Sequence, residues 1–168
     1  CDLIHVSVGS HEIRDVFTVT HPVMFLGEAP NVRFAAEIKK HVKTPVATIG
    51  ALGNEPGQLE DIIASGSADV IEMARSLLAD PDLPLKLRTG REDEIIPCMR
   101  CLSCFSSEMT CGEPYCALNP ETGREFDLKF EAPKAVTKKR VLVVGGGVGG
   151  MQAALTCRER GHEVILCE

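Results

Sequence analysis

Apolar and polar positions follow two periods along the first half of the chain. Short apolar runs cover Asp2–Val8 (DLIHVSV), Pro45–Ile49 (PVATI) and Ala68–Met73 (ADVIEM), and the first two close on Gly9 and Gly50. Runs this short, rich in β-branched residues and bounded by glycine, predict strands. Between them the apolar residues recur at helical spacing. Val32, Ala35, Ala36 and Ile38 share one side of a segment that runs to His41, with Asn31 placed to cap it. Gln58–Ala64 (QLEDIIA) reads as a second helix, set between Gly57 and Gly66. Strand and helix in alternation predict right-handed βαβ units and a parallel sheet. The connection from Gly9 to Pro30 is the exception, more than 20 residues without a period. Loops of that length in a compact domain are usually functional.

The pattern changes twice after residue 90. Residues 91–135 hold Pro97, Pro114, Pro120 and Pro133 with little periodicity, so a bound centre is expected to order them in place of an apolar core. Within 136–168, Lys138-Lys139-Arg140 precede the strand Val141–Val144 (VLVV) and the run Gly145-Gly146-Gly147-Val148-Gly149-Gly150. A helix over Met151–Arg160 then ends at Gly161, and a strand over Glu163–Cys167 (EVILC) closes on Glu168. One βαβ unit cannot bury both faces of a parallel sheet, and the chain opens on Cys1 with a strand at once. Both ends are expected to be cuts in a longer protein. The expected fold class is α/β: βαβ units on a parallel sheet over 1–90, a connector ordered by a bound centre over 91–135, and the first βαβ unit of a Rossmann-like domain over 136–168.

Charge and cysteine content narrow the partners. The 168 residues carry 18 Lys+Arg against 24 Asp+Glu, a net charge of -6. That balance argues against nucleic acid or an anionic membrane surface as partner, and no apolar run approaches the roughly 18 residues of a membrane span. Five of the eight cysteines (Cys98, Cys101, Cys104, Cys111 and Cys116) fall within 19 positions. Clustering of this kind reads as metal ligation in a reducing compartment, so a cytoplasmic location is expected.

Three constellations carry chemistry. Gly145, Gly147 and Gly150 fit G-x-G-x-x-G between a strand and a helix, for the tight turn, the approach of a pyrophosphate and close helix packing respectively. Glu168 lies 18 positions beyond Gly150, where a carboxylate can accept from ribose hydroxyls and disfavours a 2′-phosphate. The spacing Cys98-x2-Cys101-x2-Cys104-x11-Cys116 suits a [4Fe-4S] cluster. A four-cysteine zinc site uses the same thiolates, and on spacing Cys111 could replace Cys104 or Cys116. Gly50 and Arg75 follow successive strands. If those strands are the last two of a barrel, their loops form its phosphate site; otherwise Arg75 pairs locally, for example with Asp80. His11, beside Glu12 and Arg14 just past the first strand, is placed for a general acid or for a surface residue. His5, His21, His41 and His162 are given no role.

These residues together resemble the NADH:flavin oxidoreductase family that includes 2,4-dienoyl-CoA reductase and trimethylamine dehydrogenase, which pairs an Old Yellow Enzyme-like barrel with an iron-sulfur cluster. The resemblance is carried by Gly9-Ser10-His11-Glu12-Ile13-Arg14, Met73-Ala74-Arg75, Leu78-Ala79-Asp80-Pro81, Pro97-Cys98-Met99-Arg100-Cys101, Cys116-Ala117-Leu118-Asn119-Pro120 and the glycine run. It implies that 1–90 is the C-terminal part of a (β/α)8 (TIM) barrel with FMN on Gly50, Ala51, Ala74 and Arg75, and that 91–135 is an iron-sulfur connector with a [4Fe-4S] cluster on Cys98, Cys101, Cys104 and Cys116. It also implies FAD on Gly145, Gly147, Gly149, Gly150 and Glu168, and His11 as part of the proton-donating arrangement. Electrons would pass from NAD(P)H through FAD and the cluster to FMN, which reduces an activated C=C bond of the enoate or 2,4-dienoyl-CoA type. The partners implied are a small-molecule alkene and the remainder of the parent chain, without which little activity is expected. There are departures from the family pattern. Two residues separate Cys101 from Cys104, as in the trimethylamine dehydrogenase pattern, where the reductases often show three. Ala51 stands where members often have an arginine. An amine-dehydrogenase-like enzyme and a zinc-stabilised, non-redox binding module are the alternatives.

Overall fold

The structure, a computed structural model, describes residues 1–10, 12–106, 112–126 and 133–168. The chain divides into two compact units, Cys1–Gly123 and Arg124–Glu168. Both are α/β with parallel strands, the class that the residue pattern predicts.

In the first unit, β1 (Ile4–Val6) is followed by a 3-10 turn (Arg14–Val16), α1 (Phe17–Thr20) and α2 (Val32–Lys39). Next come β2 (Val46–Ile49), α3 (Pro56–Ala64), β3 (Val70–Glu72), α4 (Arg75–Ala79) and α5 (Leu83–Arg88). The sheet order is β1-β2-β3, all parallel, with Ile4 opposite Val46 and Ala47 opposite Val70. Val46, Ala47 and Thr48 are buried in succession, which is what a central parallel strand requires on its two faces. Ala35 of α2, Leu59 and Ile62 of α3, and Val6, Val46, Leu52 and Ala68 form one apolar cluster. Helix α3 opens with proline in its first turn, where the missing N–H costs nothing. It closes in a Schellman pair, Gly66 N–H to Ile63 O and Ser67 N–H to Ile62 O, each 3.0 Å.

Asn31 departs from its expected role. It sits at the start of α2 with helical backbone angles (φ -89, ψ -14) and makes no side-chain cap bond. A capping side chain needs an extended backbone to turn back on the first amides. Asn31 Nδ2 donates instead to the Ile49 carbonyl at 2.6 Å, which ties the start of α2 to the end of β2.

A buried carboxylate organises the segment after α4. Asp80, 2% exposed, accepts from Lys86 Nζ at 2.6 Å and from the amides of Ile96 at 2.9 Å and Asp82 at 3.1 Å. Burial pushes its carboxyl up, but the Lys86 ammonium and the two amides outweigh that and hold it below the ordinary carboxylate range.

The second unit holds β4 (Arg140–Val144), α6 (Val148–Glu159) and β5 (Glu163–Cys167). The strands are parallel, with Arg140 opposite Glu163 and Val144 opposite Cys167. Helix α6 ends in a second Schellman pair, Gly161 N–H to Arg158 O at 2.9 Å and His162 N–H to Cys157 O at 3.0 Å. Among the described residues no helix is long and apolar enough to cross a membrane.

Two predictions follow from packing and charge. A Cβ on Gly150 would run into the Gly145 carbonyl oxygen, whereas one on Gly149 would meet open space. Glycine to alanine in a helix ordinarily stabilises by about 0.5–1 kcal/mol. In urea unfolding followed by circular dichroism, Gly149→Ala should show that gain, and Gly150→Ala should lose about 1–3 kcal/mol. Asp80→Asn should cost about 3 kcal/mol at pH 7, because it leaves Lys86 without its charge partner. Since the folded carboxyl titrates low, this contribution is complete above an unfolded pKa of about 3.9 and fades as pH falls through the folded value. The gap between wild type and Asp80→Asn should therefore close in acid.

Candidate functional site

The site of the first unit is built where β2 and β3 hand over to α3 and α4. Gly50 (φ 124), Ala51 (φ 49) and Gly53 (φ 110) all take left-handed backbone angles as the chain leaves β2. A Cβ on Gly53 would collide with Ser76, and buried Ser76 donates its hydroxyl to the Leu52 carbonyl at 2.8 Å. Loop 50–54 is thereby laid on the first turn of α4, which begins at Arg75. Between them opens a cleft of about 930 Å³, mouth included. Gly50, Ala51, Ala74 and Arg75 all line it, together with Cys98, Cys104, His21 and Phe105. The four residues expected to hold FMN and two of the four expected cluster thiols thus share one cavity. Arg75 Nη1 donates to the Pro22 carbonyl at 3.1 Å. The local pairing of Arg75 with Asp80 is not formed, because Asp80 is engaged by Lys86.

The cysteine segment is held by side chains that reach backbone groups. Asn54 brackets Cys98, accepting its N–H at 2.9 Å and donating to its carbonyl at 3.0 Å. Asn119 Nδ2 and Thr122 Oγ1 both donate to the Leu78 carbonyl, at 2.9 and 3.0 Å, which fastens the residues after Cys116 to the end of α4. The Arg100 guanidinium, with its side chain 12% exposed, donates to the Leu26 carbonyl at 2.8 Å and faces Glu28 at 3.6 Å. That ties residues 24–28 of the long connection to the cysteine segment. Backbone amides point at sulfur, among them Arg100 N–H at Cys98 Sγ and Leu118 N–H at Cys116 Sγ, each 3.4 Å.

The four thiols are electrostatic neighbours. Burial pushes the Cys98 thiol up; the Arg100 amide and the Arg75 cation draw it down, and Cys116 and Cys104 raise it again. Burial also pushes Cys104 up, against the Phe105 amide and Arg75, with Cys101 and Cys116 adding to the rise. Cys101 runs the other way, drawn down chiefly by the Ser103 hydroxyl 3.2 Å from its sulfur. Soft thiolates gathered around a single guanidinium are a donor set for a thiophilic centre, and N–H groups directed at sulfur are how proteins stabilise cluster thiolates. Among the described residues, no three His, Cys, Asp or Glu side chains converge closely enough to hold one metal ion. His11 and Cys111 lie outside the described residues.

In the second unit the glycine turn has the expected form. Gly145 (φ 102) leaves β4 in the left-handed region, and Gly150 sits against its carbonyl. Around Gly145, Gly147 and Gly149 a Cβ would meet nothing, so the backbone at the start of α6 is open to an approaching group. Such a cradle at a helix N-terminus suits a pyrophosphate. The Glu168 carboxylate, at the end of β5, accepts the Gly146 N–H across the turn.

Spacing alone pointed to the thiols and glycines, and order along the chain to Gly50 and Arg75. It missed Asn54 and Arg100, whose contacts join segments remote in sequence. Asn119 stands in the Cys116–Pro120 motif without a role read from it.

Known proteins resemble the chain along nearly its whole length. The model of the NADH:flavin oxidoreductase / NADH oxidase family matches residues 9–94, and that of an FAD binding domain matches residues 140–168. NADH oxidase of Thermoanaerobacter brockii is 42% identical over 99% of this chain and 25% of its own length. Cinnamate reductase of Clostridium sporogenes is 36% identical over 99% of this chain and 24% of its own. The solved structure of 6-hydroxypseudooxynicotine amine oxidase from Pseudomonas geniculata N1 superposes with a TM-score of 0.85 at 30% identity, covering 98% of this chain and 24% of that one. The chain therefore spans about a quarter of the length of the relatives it matches.

Proposed function

The chain belongs to the NADH:flavin oxidoreductase / NADH oxidase family, and from that premise we propose that it is the junction between the two flavin sites of an iron-sulfur ene-reductase. Loop 50–54, Ala74 and Arg75 cradle the phosphate end of FMN, Cys98, Cys101, Cys104 and Cys116 ligate a [4Fe-4S] cluster, and the turn Gly145–Gly150 with Glu168 receives FAD. The observation that carries this reading is the single cleft lined by Gly50, Ala51, Ala74 and Arg75 on one side and by Cys98 and Cys104 on the other. Held on Gly145–Gly150 with Glu168, on the four cysteines, and on loop 50–54 with Ala74 and Arg75, FAD, the cluster and FMN would supply the redox chemistry that links NAD(P)H to an activated C=C bond. The protein's own part is to orient and insulate. Arg75 places a cation where a phosphate would lie, and the partial burial of Cys98, Cys104 and Cys116 limits the access of water to them. His11 is part of the arrangement that donates a proton to the reduced carbon. The acidic surface and free thiols support a reducing, cytoplasmic setting.

An amine-oxidising enzyme is the second reading. It is favoured by the two-residue interval between Cys101 and Cys104 and by the likeness to the amine oxidase above. Stopped-flow mixing of the full-length enzyme separates the two. Bleaching of flavin by NAD(P)H, with reoxidation by an enoate, supports the first. Bleaching by secondary or tertiary amines alone supports the second.

The cluster is tested by analysis of anaerobically purified protein, which should hold iron and acid-labile sulfide in equal amounts. Stoichiometric zinc without sulfide would establish the non-redox binding module instead. Alanine at Cys98, Cys101, Cys104 or Cys116 should abolish iron retention, and Cys111→Ala should leave it intact. In the full-length enzyme, His11→Ala should slow substrate reduction about 100-fold or more and leave flavin reduction by NAD(P)H unchanged. Equal loss in both half-reactions would assign His11 a structural role.

A further inference from the structure

Within the first unit, one side-chain amide is laid along a backbone. Asn54 Oδ1 accepts the Cys98 N–H at 2.9 Å, and Asn54 Nδ2 donates to the Cys98 carbonyl at 3.0 Å and to Glu28 Oε1 at 3.1 Å. Only one orientation of the amide serves all three partners, because its oxygen must face the donor and its nitrogen the two acceptors. Both backbone groups of Cys98 are met by one side chain, as a neighbouring strand would meet them. The sulfur of the same residue takes the Arg100 N–H at 3.4 Å, and Arg100 in turn faces Glu28 at 3.6 Å. Asn54 itself ends the loop whose Gly50 and Ala51 line the cleft, and it lines the cleft as well. One amide therefore joins the flavin-side loop to the first thiol across 44 positions of sequence.

We propose that Asn54 is a positioning residue that couples the two centres. By pinning the Cys98 backbone to loop 50–54, it makes flavin retention depend on an assembled cluster, and it keeps the Arg100 N–H on the Cys98 sulfur. Hydrogen bonds to cluster sulfur favour the more negative, reduced state and so raise the reduction potential. Coupling of this kind is reciprocal: whatever the cluster does for flavin affinity, flavin does for the cluster. The inference rests on the cluster and FMN assignments made above, and it adds a route between them that neither spacing nor family membership supplies.

The test uses the full-length enzyme, with FMN affinity read by flavin fluorescence and cluster potential by a titration followed by electron paramagnetic resonance. Two substitutions are needed. Asn54→Ala removes the whole clamp. Asn54→Asp keeps the shape and the acceptor but removes the donor, and it decides the matter if the alanine variant does not fold. Both should make the cluster potential more negative and weaken FMN about fivefold or more. Cys101→Ala, which removes a ligand that does not line the cleft, should weaken FMN similarly through loss of the cluster. The double variant Asn54→Asp with Cys101→Ala should be no weaker than either single one, because the route is already broken. Wild-type potential and FMN affinity in Asn54→Asp would overturn the proposal, as would effects that add in the double variant. Absence of iron and sulfide from the wild-type enzyme would instead refute the cluster assignment, a failure visible before any variant is made.

Discussion

Among the described residues, those of the cysteine-bearing segment form no apolar core of their own, and everything proposed for this chain depends on how they are nevertheless held in place. Their order is borrowed, through side-chain to backbone hydrogen bonds, from the ends of parallel strands and the short helices that follow. Asp80 takes the Ile96 amide, Asn54 takes both backbone groups of Cys98, and Asn119 and Thr122 meet on the Leu78 carbonyl. Each anchor sits on the loop after β2, in α4, or in the residues leaving α4. These are the positions where a parallel α/β sheet exposes its binding loops. The thiols are thus delivered to the same end of the sheet that would receive a flavin phosphate.

The same arrangement explains the charge pattern around the cleft. Burial raises the thiols of Cys98 and Cys104, and their proximity to the other cysteines raises them further. Gathering four thiolates there is unfavourable without a counter-charge, and an iron centre supplies far more of it than Arg75 alone can. Arg75 lies within electrostatic reach of Cys98, Cys101 and Cys104 while lining the cavity assigned to FMN. On the proposed reading, one guanidinium would serve two anionic neighbours, a flavin phosphate and a thiolate cluster on one wall of the cleft.

What could be read from the sequence was whatever is encoded locally. β2 and the glycine-turn unit were legible because strand, turn and helix each carry their own pattern over a few residues. The thiol and glycine spacings were legible for the same reason. Helix α5 was not, since it is only six residues long and only Leu83 is buried. Helix α1, four residues inside the long connection, carries no period at all. Asn31 was misread as a cap because residue type does not reveal that its backbone is already helical. Asn54, Arg100 and Arg75 could be assigned partners only in the fold, because their bonds span 44, 74 and 53 positions respectively. Side-chain to backbone contacts at such range leave no trace in composition or periodicity.

The central claim is that thiols and flavin phosphate share one cleft. It is tested most directly by diffraction from crystals of the full-length enzyme, recorded on both sides of the iron and zinc absorption edges. The account predicts an iron signal of cluster size bounded by Cys98, Cys101, Cys104 and Cys116, with flavin phosphate density beside Arg75 and Gly50. A lone zinc signal at those cysteines, or iron located away from them, would contradict it.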